Sequence, residues 1–272
     1  MSRNGGGFRG LFRQPKPLIA VCHLPPLPDY PGSPGIDAIR AHALADLALL
    51  EQAGFDAMLL ENEHDRPHRV TAEPATVEAM HHVTAEAAMM ARNVMVGCEI
   101  LLNDPHASLA VCHGAGGRFI RTDYFVDRMM RPEYGEFDVN PDALIAFRRE
   151  IKAQDVLILA DIQVKYATML DKRSLQESAR LAALHDADAV VVTGRETGDA
   201  PNIWQLREAR AGIAGSGRQV PVLIGSGLGA DNAEELLAEC DGAIVGTALM
   251  TGGRMDPGKL ERLLGAAQAV RA

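Results

Sequence analysis

From residue 17 onward one unit recurs eight times: a short apolar run rich in β-branched residues, a polar loop, then an Ala/Leu-rich stretch with helical spacing. The apolar runs fall at 18–23, 57–61, 94–101, 118–121, 156–162, 189–193, 220–224 and 243–245. Helical patterns follow at 36–53, 73–92, 104–115, 141–153, 174–186, 202–213, 230–239 and 257–270. Strands alternating with helices of this length form βαβ units and a parallel sheet. The runs are nearly continuous in apolar residues, as strands covered on both faces must be. Eight repeats predict closure into an α/β fold of the (β/α)8 TIM-barrel type, since open doubly wound sheets usually have fewer strands.

Local punctuation agrees with these boundaries. Gly54 can end the first helix, and Asp231 or Asn232 can cap the seventh. Asp104 precedes Pro105, and Asn140 precedes Pro141, each a capping residue followed by proline at the first helical position. No linker or composition break divides the chain after residue 16, so 17–272 is expected to be one barrel domain. The opening MSRNGGGFRGLFRQPKP has no apolar core of the kind a signal peptide needs. Residues 1–16 are expected to be a flexible tail.

Aromatic residues make up only 4% of the chain, so the core must be built from Ala, Val, Leu, Ile and Met. A net charge of −9 argues against nucleic-acid binding, which needs a basic face to displace counterions. It leaves room for a small anionic or sugar-like metabolite held by a few local N–H groups. Cys22, Cys98, Cys112 and Cys240 show no CxxC spacing and suit buried, reduced thiols in a cytoplasmic protein. No apolar run reaches the roughly 18 residues of a membrane span. Ala/Leu-rich outer helices lead us to expect a homo-oligomer.

In barrels of this kind the active site gathers at the C-terminal ends of the strands. The first strand ends in His23. The second ends in Glu61, followed by Asn62, Glu63, His64 and Asp65. The third contains Glu99 and runs on to Asn103. The fourth ends in Arg121, Thr122 and Asp123, and the fifth in Asp161, with Lys165 four residues on. Thr193, Gly194 and Arg195 close the sixth, Gly225, Ser226 and Gly227 the seventh, and Gly246 and Thr247 the eighth.

Asp161, set between apolar residues, would be costly to bury without a partner. Lys165 is the nearest candidate, either in a structural ion pair or in a charge pair facing a ligand. The small residues after the seventh and eighth strands let backbone approach an anion closely, and the following helix near Ala230 offers free N–H groups. Thr193, Gly194 and Arg195 could add a hydroxyl and a guanidinium to this phosphate site. No cofactor is implied. Glu61, Glu63, His64, Asp65 and His68 could hold Mg2+ or Mn2+, or could form a solvated loop. Lys165 could act as a Schiff-base nucleophile, but a nearby carboxylate favours a charged amine that stabilises a carbonyl or phosphate oxygen. Met129, Met130 and the rest of 122–140, without evident secondary structure, suggest a lid or an interface.

The segments HLPPLPDYPG at 23–32, ENEHDRP at 61–67, ILLND at 100–104, DIQVKYA at 161–167 and IGSGLGADN at 224–232, with DGAIVGTAL at 241–249, resemble the BtpA/SgcQ family. The similarity runs over about residues 17–270. It implies a TIM-like barrel in a family with one branch linked to photosystem I accumulation in cyanobacteria and another found in bacterial sugar-utilisation gene sets. It also implies pocket residues at His23, Glu61, Asn62, Asp65, Asn103, Asp161, Lys165, Gly225, Ser226 and Gly227. The chain departs from the family pattern where Asp29 replaces Gly and Glu63-His64 replace Phe-Gly. Gln163 and Tyr166 stand where histidines are usual, which leaves His23 as the main imidazole for proton transfer. The expectation is acid–base chemistry by His23, Glu61, Asp161 and Lys165, of isomerase or lyase type, on a substrate contacted by Asn62, Asp65, Glu99, Asn103, Arg121 and Asp123. A nucleosidase or glycosidic hydrolase and a non-catalytic assembly factor are the alternatives.

Overall fold

A computed structural model describes residues 7–12, 14–137, 140–196 and 198–271. Eight parallel strands close into a barrel: β1 (Leu18–His23), β2 (Ala57–Glu61), β3 (Met95–Glu99), β4 (Phe119–Thr122), β7 (Leu157–Ile162), β9 (Ala189–Val192), β10 (Val222–Ile224) and β11 (Ala243–Val245). Helices α2 (Ile36–Ala53), α3 (Pro74–Met90), α4 (Pro105–Gly114), α5 (Pro141–Glu150), α6 (Leu175–Leu184), α7 (Ile203–Gly215), α8 (Ala233–Ala238) and α9 (Pro257–Arg271) connect and surround them. Asp104 and Asn140 cap α4 and α5 by accepting the backbone N–H groups of Ala107 and Ala143, and Gly54 takes the left-handed conformation that ends α2.

Side chains alternate along each strand, so one parity faces the helices and the other the barrel axis. Leu18, Ala20 and Cys22 pack outward with the helices, whereas Ile19 and Val21 join Leu59, Phe119, Leu159, Val191 and Ile244 inside. A Cβ on Gly97 would lie 2.4 Å from the Phe119 ring, so the missing side chain is what admits that ring to the barrel. All four cysteines are free thiols and buried.

Two segments differ from the sequence expectation. Within the expected flexible tail, Gly7–Leu11 forms helix α1, and Phe8 and Phe12 bury themselves against the inward residues at the bottom of the barrel. Two aromatic rings spaced one helical turn apart carry enough apolar surface to order a short, glycine-rich segment. In the long segment after β4, β5 (Met129–Arg131) and β6 (Gly135–Phe137) form a hairpin that β8 (Thr168–Met169) extends into a three-stranded antiparallel sheet. Its small core is Leu102, Tyr124, Met129, Phe137 and Val164, with Tyr124 stacked on Phe137 at 4.2 Å. A further antiparallel pair, β12 (Met250–Thr251) and β13 (Arg254–Met255), precedes α9. No helix among the described residues is long and apolar enough to cross a membrane.

Helices α6 and α7 approach closely at Gly212, where an added Cβ would lie 2.0 Å from the Gln176 carbonyl oxygen. In an exposed helix Gly→Ala stabilises by roughly 1 kcal/mol. Here the obstacle is backbone and the sign reverses: Gly212→Ala is expected to destabilise the protein by about 1–3 kcal/mol. Urea denaturation checks this, and a variant as stable as the parent would show that α6 and α7 can separate freely.

Candidate functional site

The inward parity that carries apolar residues through the barrel carries polar ones at its upper end. Continuing β1 past Ile19 and Val21 gives His23, β2 gives Glu61, β3 gives Glu99, β4 gives Arg121 and β7 gives Asp161. Of these, His23, Glu61, Glu99 and Arg121 line a cavity of about 750 Å³ together with Gly225 and Gly246, the residues that follow β10 and β11, and with Asp123, Lys165, Ser226, Gly227 and Thr247. Asp161 does not line it and holds Arg121.

Arg121 is the centre of the floor. Its Nε and Nη2 donate to the two oxygens of Asp161 at 2.7 and 3.1 Å, and its Nη1 donates to Glu61 Oε1 at 3.5 Å. Glu99 Oε2 lies 3.9 Å from Nε. The partner that Asp161 requires is therefore Arg121, forty positions earlier on the neighbouring strand, and not Lys165 as the sequence suggested. Lys165 lines the cavity and acts on Asp161 and Asp123 through its field alone.

One buried guanidinium cannot balance this many carboxylates. Burial, followed by repulsion from Asp123, lifts the Glu99 carboxyl well above the usual range, towards its protonated form. Burial and the charge of Asp161 raise Asp123 to about 7. Asp161 is raised as well, because burial outweighs the pull of Arg121. The floor thus holds a carboxylic acid able to donate a proton beside carboxylates able to accept one, the division of labour that acid–base catalysis needs. His23 Nε2 stands 3.9 Å from Glu61 Oε2, and its ring meets that of His64 edge-on at 6.2 Å. Gly246 lies beside His23, where an added Cβ would make an ordinary 3.6 Å contact with Nε2.

Several expected site residues serve the scaffold. The Asn62 amide donates to Asp65 Oδ2 at 2.9 Å, and its oxygen accepts the Leu101 N–H at 2.7 Å. Asp65, fully buried, also accepts the Leu27 N–H at 2.8 Å. These bonds fix the loops after β1, β2 and β3 rather than leave groups for a ligand. Asn103 does not line the cavity; its Oδ1 is buried without a hydrogen-bond partner among the described residues. Thr193, Gly194 and Arg195 do not line it either, and Arg195 is exposed. The Ser226 hydroxyl accepts the Gly194 N–H at 3.0 Å and donates to the Asp199 carbonyl at 2.8 Å, so its proton is already committed. Gly227, at φ 73°, packs so closely on Ala200 that a Cβ would lie 2.0 Å from its nitrogen. Helix α8 starts at Ala233 rather than near Ala230 and spans six residues, too short to lend much dipole to an anion.

The acidic run after β2 disperses: Glu63 pairs with Arg66, and Asp65 braces loops. Among the described residues, the one group of three side chains with metal-ligating atoms within 4.8 Å of one another is Cys22, His42 and Asp46, on the outer side of β1. Arg254 already lies against it, 2.6 Å from His42 Nδ1 and 3.3 Å from Asp46 Oδ1. Arg131 and Tyr124 carry no signal in the sequence, because no periodicity marks the β5–β6–β8 sheet and its small core, which wall one side of the cavity and are called the lid below.

A family model described as the BtpA family matches residues 14–269. The chain is 32% identical over 251 residues to the photosystem I biogenesis protein BtpA of a Synechocystis species, covering 90% of this chain and 84% of that protein. It is 33% identical over 255 residues to an uncharacterised protein of Archaeoglobus fulgidus, covering 93% and 99%. Among solved structures it is similar to N-(5'-phosphoribosyl)anthranilate isomerase from Pyrococcus furiosus, with TM-score 0.55, 14% identity and coverage of 93% and 99%. A thiamine phosphate pyrophosphorylase from Pyrococcus furiosus gives TM-score 0.56, 19% identity and coverage of 94% and 97%. At these identities the structural likeness speaks for the barrel alone.

Proposed function

Because the chain belongs to the BtpA family, we propose that it is an enzyme of isomerase or lyase type acting on a small phosphorylated or sugar-like metabolite. The observation that carries this reading is the floor of the cavity, where Glu99, its carboxyl raised above the usual range, the Glu61–His23 pair and Arg121 converge. In this reading Glu61 and His23 exchange protons with the substrate and Glu99 donates to it. Lys165 stabilises negative charge as it develops. Asp161 is a positioning residue, since both its oxygens hold Arg121. That commitment disfavours Asp161 as the nucleophile of a glycosidic hydrolase. The phosphate would rest on Gly227, Gly246 and Thr247, through backbone donors, while the Gly225 N–H is given to the Val192 carbonyl and the Ser226 side chain holds the loop in shape.

The Synechocystis relative's name favours a second reading, an assembly factor. In that case the cavity would serve no small molecule, which a thermal-shift experiment decides. Glycerol 3-phosphate at 100 times its dissociation constant should stabilise the protein by about 2.7 kcal/mol, or roughly 5–10 °C. Thr247 is exposed on the cavity wall, so Thr247→Glu should leave the unliganded melting temperature in place and abolish the shift. If neither glycerol 3-phosphate nor any other phosphorylated sugar stabilises the parent protein, the phosphate reading is wrong and the assembly reading gains.

A further inference from the structure

The lid carries two cations that form no ion pair with any described residue. Arg131, at the end of β5, and Lys165, in the turn before β8, both line the cavity. They flank one ring: the Arg131 guanidinium carbon is 5.8 Å and Lys165 Nζ 6.0 Å from the centre of Tyr166. The other lid arginines are paired, Arg128 with Glu136 and Asp171, and Arg173 with Asp127 at 2.9 Å. Among the described residues no carboxylate lies within 4 Å of Arg131 or Lys165.

Neighbouring polar groups are left open in the same place. Arg131 Nε, the Tyr124 hydroxyl and His68 Nδ1 are all buried without a hydrogen-bond partner among the described residues. Tyr124 and His68 are each more than nine-tenths buried, and both feel the charge of Arg131. Burial, with Arg66 and Arg131 adding to it, lowers His68 to about 4, so at neutral pH it is an uncharged donor or acceptor. The turn that presents Lys165 is strained: Gln163 and Tyr166, on either side of it, sit at φ 46° and 63°, left-handed values that non-glycine residues seldom adopt. Such strain persists where surrounding structure imposes it, and it gathers at ligand clamps. Half-exposed cations without ion pairs, beside buried donors without partners, form a wall that favours an anion in the cavity.

We propose that Arg131 and Lys165, with Tyr124 and His68 behind them, form an anion subsite distinct from the glycine loops after β10 and β11. The substrate then carries a second anionic group, a carboxylate or a phosphate, at the end that lies under the lid. This deepens the enzyme reading and rests on it for the position of the first phosphate.

Three probes separate the possibilities in binding titrations: glycerol 3-phosphate with one anionic group, 3-phosphoglycerate with a carboxylate opposite its phosphate, and fructose 1,6-bisphosphate with two phosphates. At least one of the two-headed probes should bind more tightly than glycerol 3-phosphate. Arg131→Met should weaken that probe roughly tenfold or more, the size expected for a lost charged hydrogen bond, and leave glycerol 3-phosphate within about twofold. Arg131→Lys, which keeps the charge, should recover part of the loss, and the unliganded melting temperature controls for folding. Whichever two-headed probe responds identifies the second group. If Arg131→Met leaves both two-headed probes unchanged while Thr247→Glu still abolishes glycerol 3-phosphate binding, the lid subsite is wrong and the enzyme reading stands. If Arg131→Met abolishes anion binding and Thr247→Glu has no effect, the lid holds the anion and the loop reading is wrong. No binding by any probe overturns both.

Discussion

Arg121→Met is expected to lower stability by about 3–5 kcal/mol at pH 7, the cost of leaving buried carboxylates without their counter-charge. The guanidinium is held by both oxygens of Asp161 and reaches Glu61 and Glu99, all in the barrel mouth beneath the cavity. Methionine fills much of the space of the arginine stem, so lost packing adds little. The deficit should shrink as the pH falls towards about 5, because the stranded carboxylates take up protons and the buried negative charge disappears. Adding Asp161→Asn to Arg121→Met should recover part of the loss at pH 7 by the same logic, and the two substitutions should be strongly non-additive. Chemical denaturation at both pH values measures all of this. A single variant within 1 kcal/mol of the parent, or a deficit that grows with acid, would refute the electrostatic account of the floor.

Asp123 is expected to make the protein less stable as the pH rises from about 4 to about 8. Its carboxyl titrates near 7 in the folded chain against an ordinary 3.8, since burial and Asp161 disfavour its charge. In that window the native state binds more protons than the unfolded state, so the contribution is fully present below pH 4 and is lost as the pH passes 7. Each unit of displacement corresponds to about 1.4 kcal/mol. Asp123 keeps some contact with solvent, so the expected loss is about 2–4 kcal/mol. Asp123→Asn mimics the protonated form and should remove this part of the slope while Glu99, displaced in the same direction, keeps its own. Denaturation curves at pH 4, 6 and 8 for the parent and the variant decide it; parallel slopes would mean that Asp123 is ionised throughout.

The strands show what local pattern is able to determine. The runs 18–23, 57–61 and 243–245 coincide with β1, β2 and β11, and the caps at Asp104 and Asn140 act as the sequence suggested. Strand and helix periods arise from backbone geometry within a few residues, so they are written in the order of the amino acids. The same parity explains why His23, Glu61, Glu99, Arg121 and Asp161 could be named in advance as residues of the barrel mouth: each sits at the upper end of an inward-facing row, and all but Asp161 line the cavity.

Partnership is another matter. Asp161 could be seen to need a cation, but Lys165 was nearest in the chain, whereas strand pairing sets Arg121 beside Ala160's neighbour Leu159 and brings its side chain across to Asp161. Asn62 and Asp65 looked like ligand contacts until closure of the barrel placed Leu27 and Leu101 against them. Phe8 and Phe12 lay in a stretch whose glycines and arginines suggested mobility, and only the open bottom of the barrel gives their rings somewhere to go. Arg131 belongs to no repeat and comes to line the cavity, without an ion pair among the described residues, only when β5, β6 and β8 assemble beside it. The sequence by itself determined the eight barrel strands, the helices between them, their order and the face each strand turns inward, because those follow from short-range periodicity. The tertiary structure decided which charges meet, which polar groups are used up in bracing loops and which are left facing the cavity, because these depend on strand register and barrel closure between residues far apart in the chain.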